Sequence, residues 1–311
     1  NNYDVEFVTR EQFADGFQVT IPLVSNPVQN SLPQGRDVFV KEVIDNATWV
    51  RGDHIHRLGG NLRLLKVLPF NDAGRLPSYE IGFGAGNVNP LGPSLFPGGI
   101  STTNFNNASS ILALLTGPVN AVTQTFQVAD QTSGFVPGLG ERRDLRNYNV
   151  GLYFNDTWRA RRNLTLNFGL RWEFQSVPTE HNGLALLPVG GLASLSDPNA
   201  VLDFAGSGTG RPFFNSDWND FAPSFSFAWD ITGDGKSSLR GGYSISYVID
   251  NNITTVRNAF TGNDGLAQGV QINDISGTIS GAGRVPVPQP AFQVPRTLAQ
   301  NIALDPESAI F

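Results

Sequence analysis

Residues 163–175 read Asn-Leu-Thr-Leu-Asn-Phe-Gly-Leu-Arg-Trp-Glu-Phe-Gln. Every second side chain is apolar: Leu164, Leu166, Phe168, Leu170, Trp172 and Phe174. Between them stand Asn163, Thr165, Asn167, Gly169, Arg171, Glu173 and Gln175, none with an apolar side chain. A period of two puts alternate side chains on opposite faces of a strand, whereas a helix would scatter the two sets around its circumference. The segment is therefore predicted to be a strand with one apolar and one polar face.

The chain upstream repeats the plan. Tyr148, Val150, Leu152, Phe154 and Trp158 form one row, interrupted by Asp156, and Asn147, Asn149, Gly151, Tyr153, Asn155 and Thr157 form the other. Only Ala160, Arg161 and Arg162 separate the two segments, which predicts a hairpin. A second hairpin carries Phe221, Pro223, Phe225, Phe227 and Trp229 going in and Leu239, Tyr243, Ile245, Tyr247 and Ile249 coming out. A third, with mixed rows, runs over 38–50 and 54–67 through Arg51-Gly52-Asp53; Lys41, Asp45 and His56 fall where apolar residues are expected. Further strands are predicted at 78–84 and 119–128, with a short helix at 108–115 between them, which brings the strand count to eight. The connections 176–219 and 250–311 are rich in Gly, Pro, Asn and Ser and lack sustained periodicity.

A tryptophan precedes each tight turn: Trp49, Trp158 and Trp229. Amphipathic indoles collect at the water interface of a bilayer, and outer-membrane barrels alternate short turns on one side with long loops on the other. The three residues are assigned to one interfacial girdle, and Trp172, Phe174 and Tyr247 to the opposite one. The predicted fold is all-β, an antiparallel up-and-down transmembrane barrel segment. Residues 1–37 form a loop or incoming segment, 38–249 the strands, and 250–311 a long loop or outgoing segment.

Composition agrees. Charged residues make up 15 %, below the roughly 25 % of soluble domains, beside 22 Phe and 34 Gly. A net charge of −6 offers no basic face for nucleic acid, and the Arg159, Arg161, Arg162 cluster reads as a solvated turn. The absence of cysteine excludes disulfides, thiol catalysis and thiolate-held metals. The absence of methionine leads to the expectation of a processed product or a segment of a longer chain. The aliphatic cluster 111–115 is too short to cross a bilayer as a helix, but a transmembrane strand needs only about 9–11 residues.

The turn of the second hairpin, Trp229-Asp230-Ile231-Thr232-Gly233-Asp234-Gly235-Lys236, imitates a calcium loop, with Asp230, Thr232, Asp234 and Gly235 at the first, third, fifth and sixth positions. The closing bidentate Glu is missing, because Gly241 occupies that place. Asp230, Asp234 and Gly235 are therefore read as turn formers. His54 and His56 share a strand face, but His181 is distant and no carboxylate partner is evident, so they read as interfacial histidines. No metal, cofactor or catalytic residue is predicted: Gly-x-Ser-x-Gly does not occur, and Gly206-Ser207-Gly208 lies in a loop. On the polar rows, Arg171, Glu173 and Arg240 are predicted to face the lumen, either as a charge network or along a substrate path.

Three segments resemble the barrel region of Oar-like TonB-dependent outer-membrane receptors. They are Asn46-Ala47-Thr48-Trp49-Val50-Arg51-Gly52-Asp53-His54 with Gly59-Gly60, residues 147–173 (NYNVGLYFNDTWRARRNLTLNFGLRWE) and residues 219–243 (NDFAPSFSFAWDITGDGKSSLRGGY). The resemblance covers about 38–249 and implies non-enzymatic uptake or surface exchange of a ligand, energised through TonB. Receptors of this kind are similar in having a closed barrel, an N-terminal plug and a TonB box. Neither plug nor TonB box is recognisable here, so the chain is expected to be the middle of a barrel. Its expected partners are outer-membrane lipid, the remainder of the barrel or partner chains, and the TonB system. The alternative is an extracellular or surface-layer β-structured protein that assembles through its apolar faces and strand edges; a soluble sandwich comes third.

Overall fold

The computed structural model describes residues 16–23, 33–247, 265–280 and 285–304. In chain order the elements are β1 (Gln18–Thr20), β2 (Gln34–Arg51), β3 (His54–Asn71), β4 (Ser78–Ile81), α1 (Thr102–Thr116), β5 (Pro118–Val128), β6 (Phe135–Val136), β7 (Glu141–Arg142), β8 (Leu145–Arg161) and β9 (Leu164–Gln175). They continue with β10 (Thr179–Glu180), β11 (Ala185–Pro188), β12 (Val201–Ala205), β13 (Asp220–Asp230), β14 (Ser238–Ser244), β15 (Ala267–Thr278), β16 (Arg296–Thr297) and α2 (Leu298–Leu304).

The largest sheet has the order β14-β13-β9-β8-β3-β2, with the short β10 beside β8 and β7 beside β3. All its pairings are antiparallel, and its backbone is the three hairpins read from the sequence. Register confirms the faces of the central strands. Trp172 lies between Leu152 and Phe221, and Leu170 between Phe154 and Pro223, so their apolar rows are continuous across the sheet.

Among the described residues eight strands make up this sheet, but not the eight expected. The segments at 78–84 and 119–128 do form strands, β4 and β5, yet they pair with each other and with β1, β6 and β15 in a second sheet. Val119 and Val122 of β5 are buried with Tyr79, Ile81 and Ala113, and Phe126 and Val128 with Leu184, Leu186 and Leu202 of the connection 176–219, unlike the half-exposed rows of β9. The helix predicted at 108–115 starts earlier, at Thr102, where the Ser101 hydroxyl accepts from Asn104 N at 3.2 Å, and ends on left-handed Gly117.

The connection 176–219 is not a plain loop. It supplies β10, β11 and β12, and β11 and β12 join β16 in a three-stranded sheet. Leu184, Ala185, Leu186 and Leu187 are consecutive and all buried. A segment covered on both faces loses the period-two signal, which is why the sequence conceals it. Ala185, Leu187, Ala205 and Phe213 share a core with Val67 and Leu145, at the ends of β3 and β8 remote from the short turns. The long connections therefore build a folded layer on one end of the large sheet. Ile249 and the start of the 250–311 segment lie outside the described residues.

Candidate functional site

At one end of the large sheet the three short turns stand side by side. The β2–β3 loop is Gly52-Asp53, with Gly52 at φ 58° as a tight hairpin demands. Arg162 and Asn163 make the β8–β9 loop, next to a register shift between Trp158 and Arg161. Neighbouring turns are tied together: Arg159 N donates to Asp53 O at 2.8 Å, Asp230 N to Asn163 O at 2.9 Å, and Asn163 Nδ2 to Asp230 O at 2.8 Å. In the third turn the Asp230 carboxylate accepts from Gly233 N at 3.0 Å and Gly235 N at 2.8 Å. Asp234 accepts from the Thr232 hydroxyl at 2.5 Å and from Lys236 N at 3.1 Å, and the Thr232 hydroxyl above all holds its carboxyl below the usual carboxylate range. Gly233 and Gly235 sit at φ 73° and 78°. The carboxylates thus cap their own backbone, as a turn requires.

The register places the tryptophans at one height. Trp158 is opposite His54 and Leu166, Trp229 opposite Leu164 and Leu239, and Trp49 opposite His56, one alternation further from the turns. On the same face of β8, Asp156 and Arg146 bracket Phe154, Leu152, Val150 and Tyr148; on β3, His56 and Lys66 bracket Leu58, Gly60, Leu62 and Leu64. The two brackets coincide, since His56 pairs with Asp156 and Lys66 with Arg146. Ten steps of about 3.4 Å span about 34 Å along the strand, which the usual barrel tilt of roughly 40° would bring to about 25 Å.

The opposite face is polar. Tyr153 Oη donates to Asn46 Oδ1 at 2.7 Å, Asn167 Nδ2 to Ser226 Oγ at 3.1 Å, and Arg57 to the Thr157 hydroxyl at 3.4 Å. Arg171 Nε donates to Glu173 Oε1 at 2.5 Å. A side chain at Gly151, opposite Glu173, would run into Asn61 and the Arg171 guanidinium. Arg240 stands exposed on β14 opposite Ala228.

The chain matches the family model described as outer membrane beta barrel domain over residues 6–309. It belongs to that family. No curated protein and no solved structure matches it. Membership assigns the large sheet to a barrel of the bacterial outer membrane, and its apolar band is as long, counted in residues, as a transmembrane strand needs. Among the described residues of this barrel domain the sheet does not close: β2 and β14 are its two edges.

The structure of this outer-membrane domain keeps most of the predicted residues in their groups and rearranges one. Trp49, Trp158 and Trp229 lie at the same end of the sheet, and Arg171 bonds Glu173. At the other end, Phe174 was expected on the outside but is only 3 % exposed, because Trp218 stacks on it at 3.7 Å between ring centroids. Trp218 also accepts, through its carbonyl, the Trp172 indole N–H at 2.9 Å. Tyr247 is exposed nearby, its hydroxyl 3.4 Å from Phe221 O. Trp218 precedes β13 outside any periodic row, so no sequence signal marks it.

Two carboxylates were also missed. Asp156 reads in sequence as a flaw in an apolar row, but it faces His54 and His56 across the β3–β8 pairing. Glu180 is fully buried, its carboxylate accepting from Asp144 N at 2.9 Å and Leu184 N at 2.6 Å. It pins the folded layer to the start of β8. Asp144 beside it bonds Arg146 at 2.6 Å and lies 3.5 Å from Lys66, and the hydrogen-bonded Arg146 is the main cause of its lowered carboxyl pKa.

Proposed function

We propose that this barrel domain is part of a TonB-dependent receptor of the Oar-like kind, non-enzymatic, that takes up or exchanges a ligand at the cell surface. One observation carries the reading beyond the family: the segments that resemble such receptors form the three adjacent hairpins, with tied short turns and tryptophans at one end and a folded layer at the other. In this reading the turns face the periplasm and Trp49, Trp158 and Trp229 lie in the headgroup region. The folded layer, with Trp172, Trp218 and Tyr247 beneath it, faces the exterior. Arg171, Glu173 and Arg240 face the lumen. The edges β2 and β14 pair with further strands, because an unpaired strand edge cannot stand in hydrocarbon. Energy coupling runs through TonB, and no cofactor takes part.

The test is solute depletion from defined medium by native-host cells, with the gene intact or deleted and with TonB intact or inactivated. The expected result is at least one solute whose removal requires both. Identical depletion with and without the gene would overturn the reading.

A further inference from the structure

The cluster of His54, His56 and Asp156 lies on the apolar face of the sheet at the short-turn end. His54 and His56 are two apart on β3, so they share that face, and Asp156 is the direct antiparallel partner of His56 on β8. His54 Nδ1 is 2.7 Å from Asp156 Oδ2, and His56 Nδ1 is 3.3 Å from Asp156 Oδ1. Aromatic rings wall the cluster. Trp158 stacks on His54 at 5.3 Å, His54 on His56 at 5.5 Å, and Trp49 and Phe154 flank His56 at 5.4 and 5.8 Å.

The 2.7 Å contact is an ordinary hydrogen bond, but the 3.3 Å approach is not one. His56 Nδ1 and Asp156 Oδ1 face each other, shielded from solvent and without a hydrogen-bond partner. Buried polar atoms left unsatisfied are costly and rare. Two donors each about 2.0 Å from a tetrahedral ion stand roughly 3.3 Å apart. Neutral imidazole nitrogens and a carboxylate oxygen are also the ligands that ions of the zinc class take. One ligand atom from each of the three residues can be chosen so that all lie within 4.8 Å of one another.

We propose that His54, His56 and Asp156 form a binding site for one divalent transition-metal ion of the zinc class, which clips the β2–β3 hairpin to the β8–β9 hairpin. Two histidines and one carboxylate leave a fourth position for water or a lipid phosphate oxygen. The ion neutralises the carboxylate on a face that otherwise meets hydrocarbon or headgroups. Because its ligands come from β3 and β8, it holds together strands about a hundred residues apart in sequence, and binding stabilises the folded state. The site does not depend on the uptake reading, since its geometry uses only the pairing of β3 with β8.

The test uses the protein extracted from the native outer membrane into detergent micelles, stripped with a chelator and titrated with Zn2+ by calorimetry and with Co2+ by tryptophan fluorescence. One equivalent of Zn2+ is expected to bind and to raise Tm, and Co2+ to quench emission from Trp158 and Trp49. His56→Gln and Asp156→Asn are each expected to weaken binding by about tenfold or more and to abolish the rise in Tm. His181→Gln, remote from the cluster, is expected to change neither. Absence of saturable binding by the unsubstituted chain, or binding unchanged in both cluster variants, would overturn the proposal. If a cluster variant does not fold, the Co2+ experiment decides it alone: quenching must shrink in Trp158→Phe and Trp49→Phe while stoichiometry persists, and quenching left intact in both counts against the site.

Discussion

Asp230 shows how one side chain can serve a turn. Its two oxygens accept from Gly233 and Gly235, and both glycines hold φ values that an L side chain resists. Asp230→Ala removes both acceptors and is expected to lower stability by about 1–2 kcal/mol. Gly235→Val is expected to cost a similar amount, through the strain of about 1–2 kcal/mol that a side chain meets in the left-handed region. Urea titration of the folded chain in micelles measures both. Glu180 carries more, because its carboxylate is fully buried and satisfies two backbone N–H groups. Glu180→Ala leaves both donors without it and is expected to cost about 2–4 kcal/mol, with hydrogen exchange rising first at Asp144 and Leu184.

At the scale of an element, β9 separates two environments by alternation alone. Leu170 and Asn167 are three residues apart and point to opposite faces, Leu170 among Phe154 and Pro223, Asn167 toward Ser226. Leu170→Arg places a charge in the middle of the apolar band and is expected to destabilise the barrel by about 2–4 kcal/mol, whereas Asn167→Arg on the polar face is expected to cost less than about 1 kcal/mol. Equal losses for the two substitutions in lipid vesicles would mean that the faces are assigned wrongly. The turn-side bracket of this band was half legible. Trp158 announced itself, but Asp156 became meaningful only when register set it against His56.

Over the whole molecule, the large sheet and the folded layer meet where Val67 and Leu145 enter a shared core and where Asp144 joins Arg146 and Lys66. The folded-state pKa of Asp144 lies below the ordinary 3.8, chiefly through its bond to Arg146. Its contribution is therefore complete above that value and disappears as pH falls through the lower folded value. With Arg146 and Lys66 about 40 % exposed, the contribution is less than about 1 kcal/mol. Asp144→Asn is expected to lower Tm slightly at neutral pH and to leave it unchanged well below pH 3.8, as thermal melts across pH would show. The open edges give a second prediction. Single cysteines along β2 and β14, each labelled with a thiol-reactive photo-cross-linker, are expected to capture neighbouring strands in the native membrane, at alternate positions.

The sequence by itself determined the three hairpins, their turns, the two faces of β9 and the height of the tryptophans. Each is written in a local pattern: a period of two, a short bend of polar residues or Gly, and an aromatic before the bend. Tertiary structure decided what locality cannot express. Strands β4 and β5 carry a sheet signal like the others, and only the partners available to them sent both to the second sheet. The run 184–187 hides its strand because both of its faces are covered, and Phe174 is buried because Trp218, far along the chain, lies over it. His54, His56 and Asp156 meet through a strand pairing that spans about a hundred residues, a register fixed only by burying one face of the whole sheet.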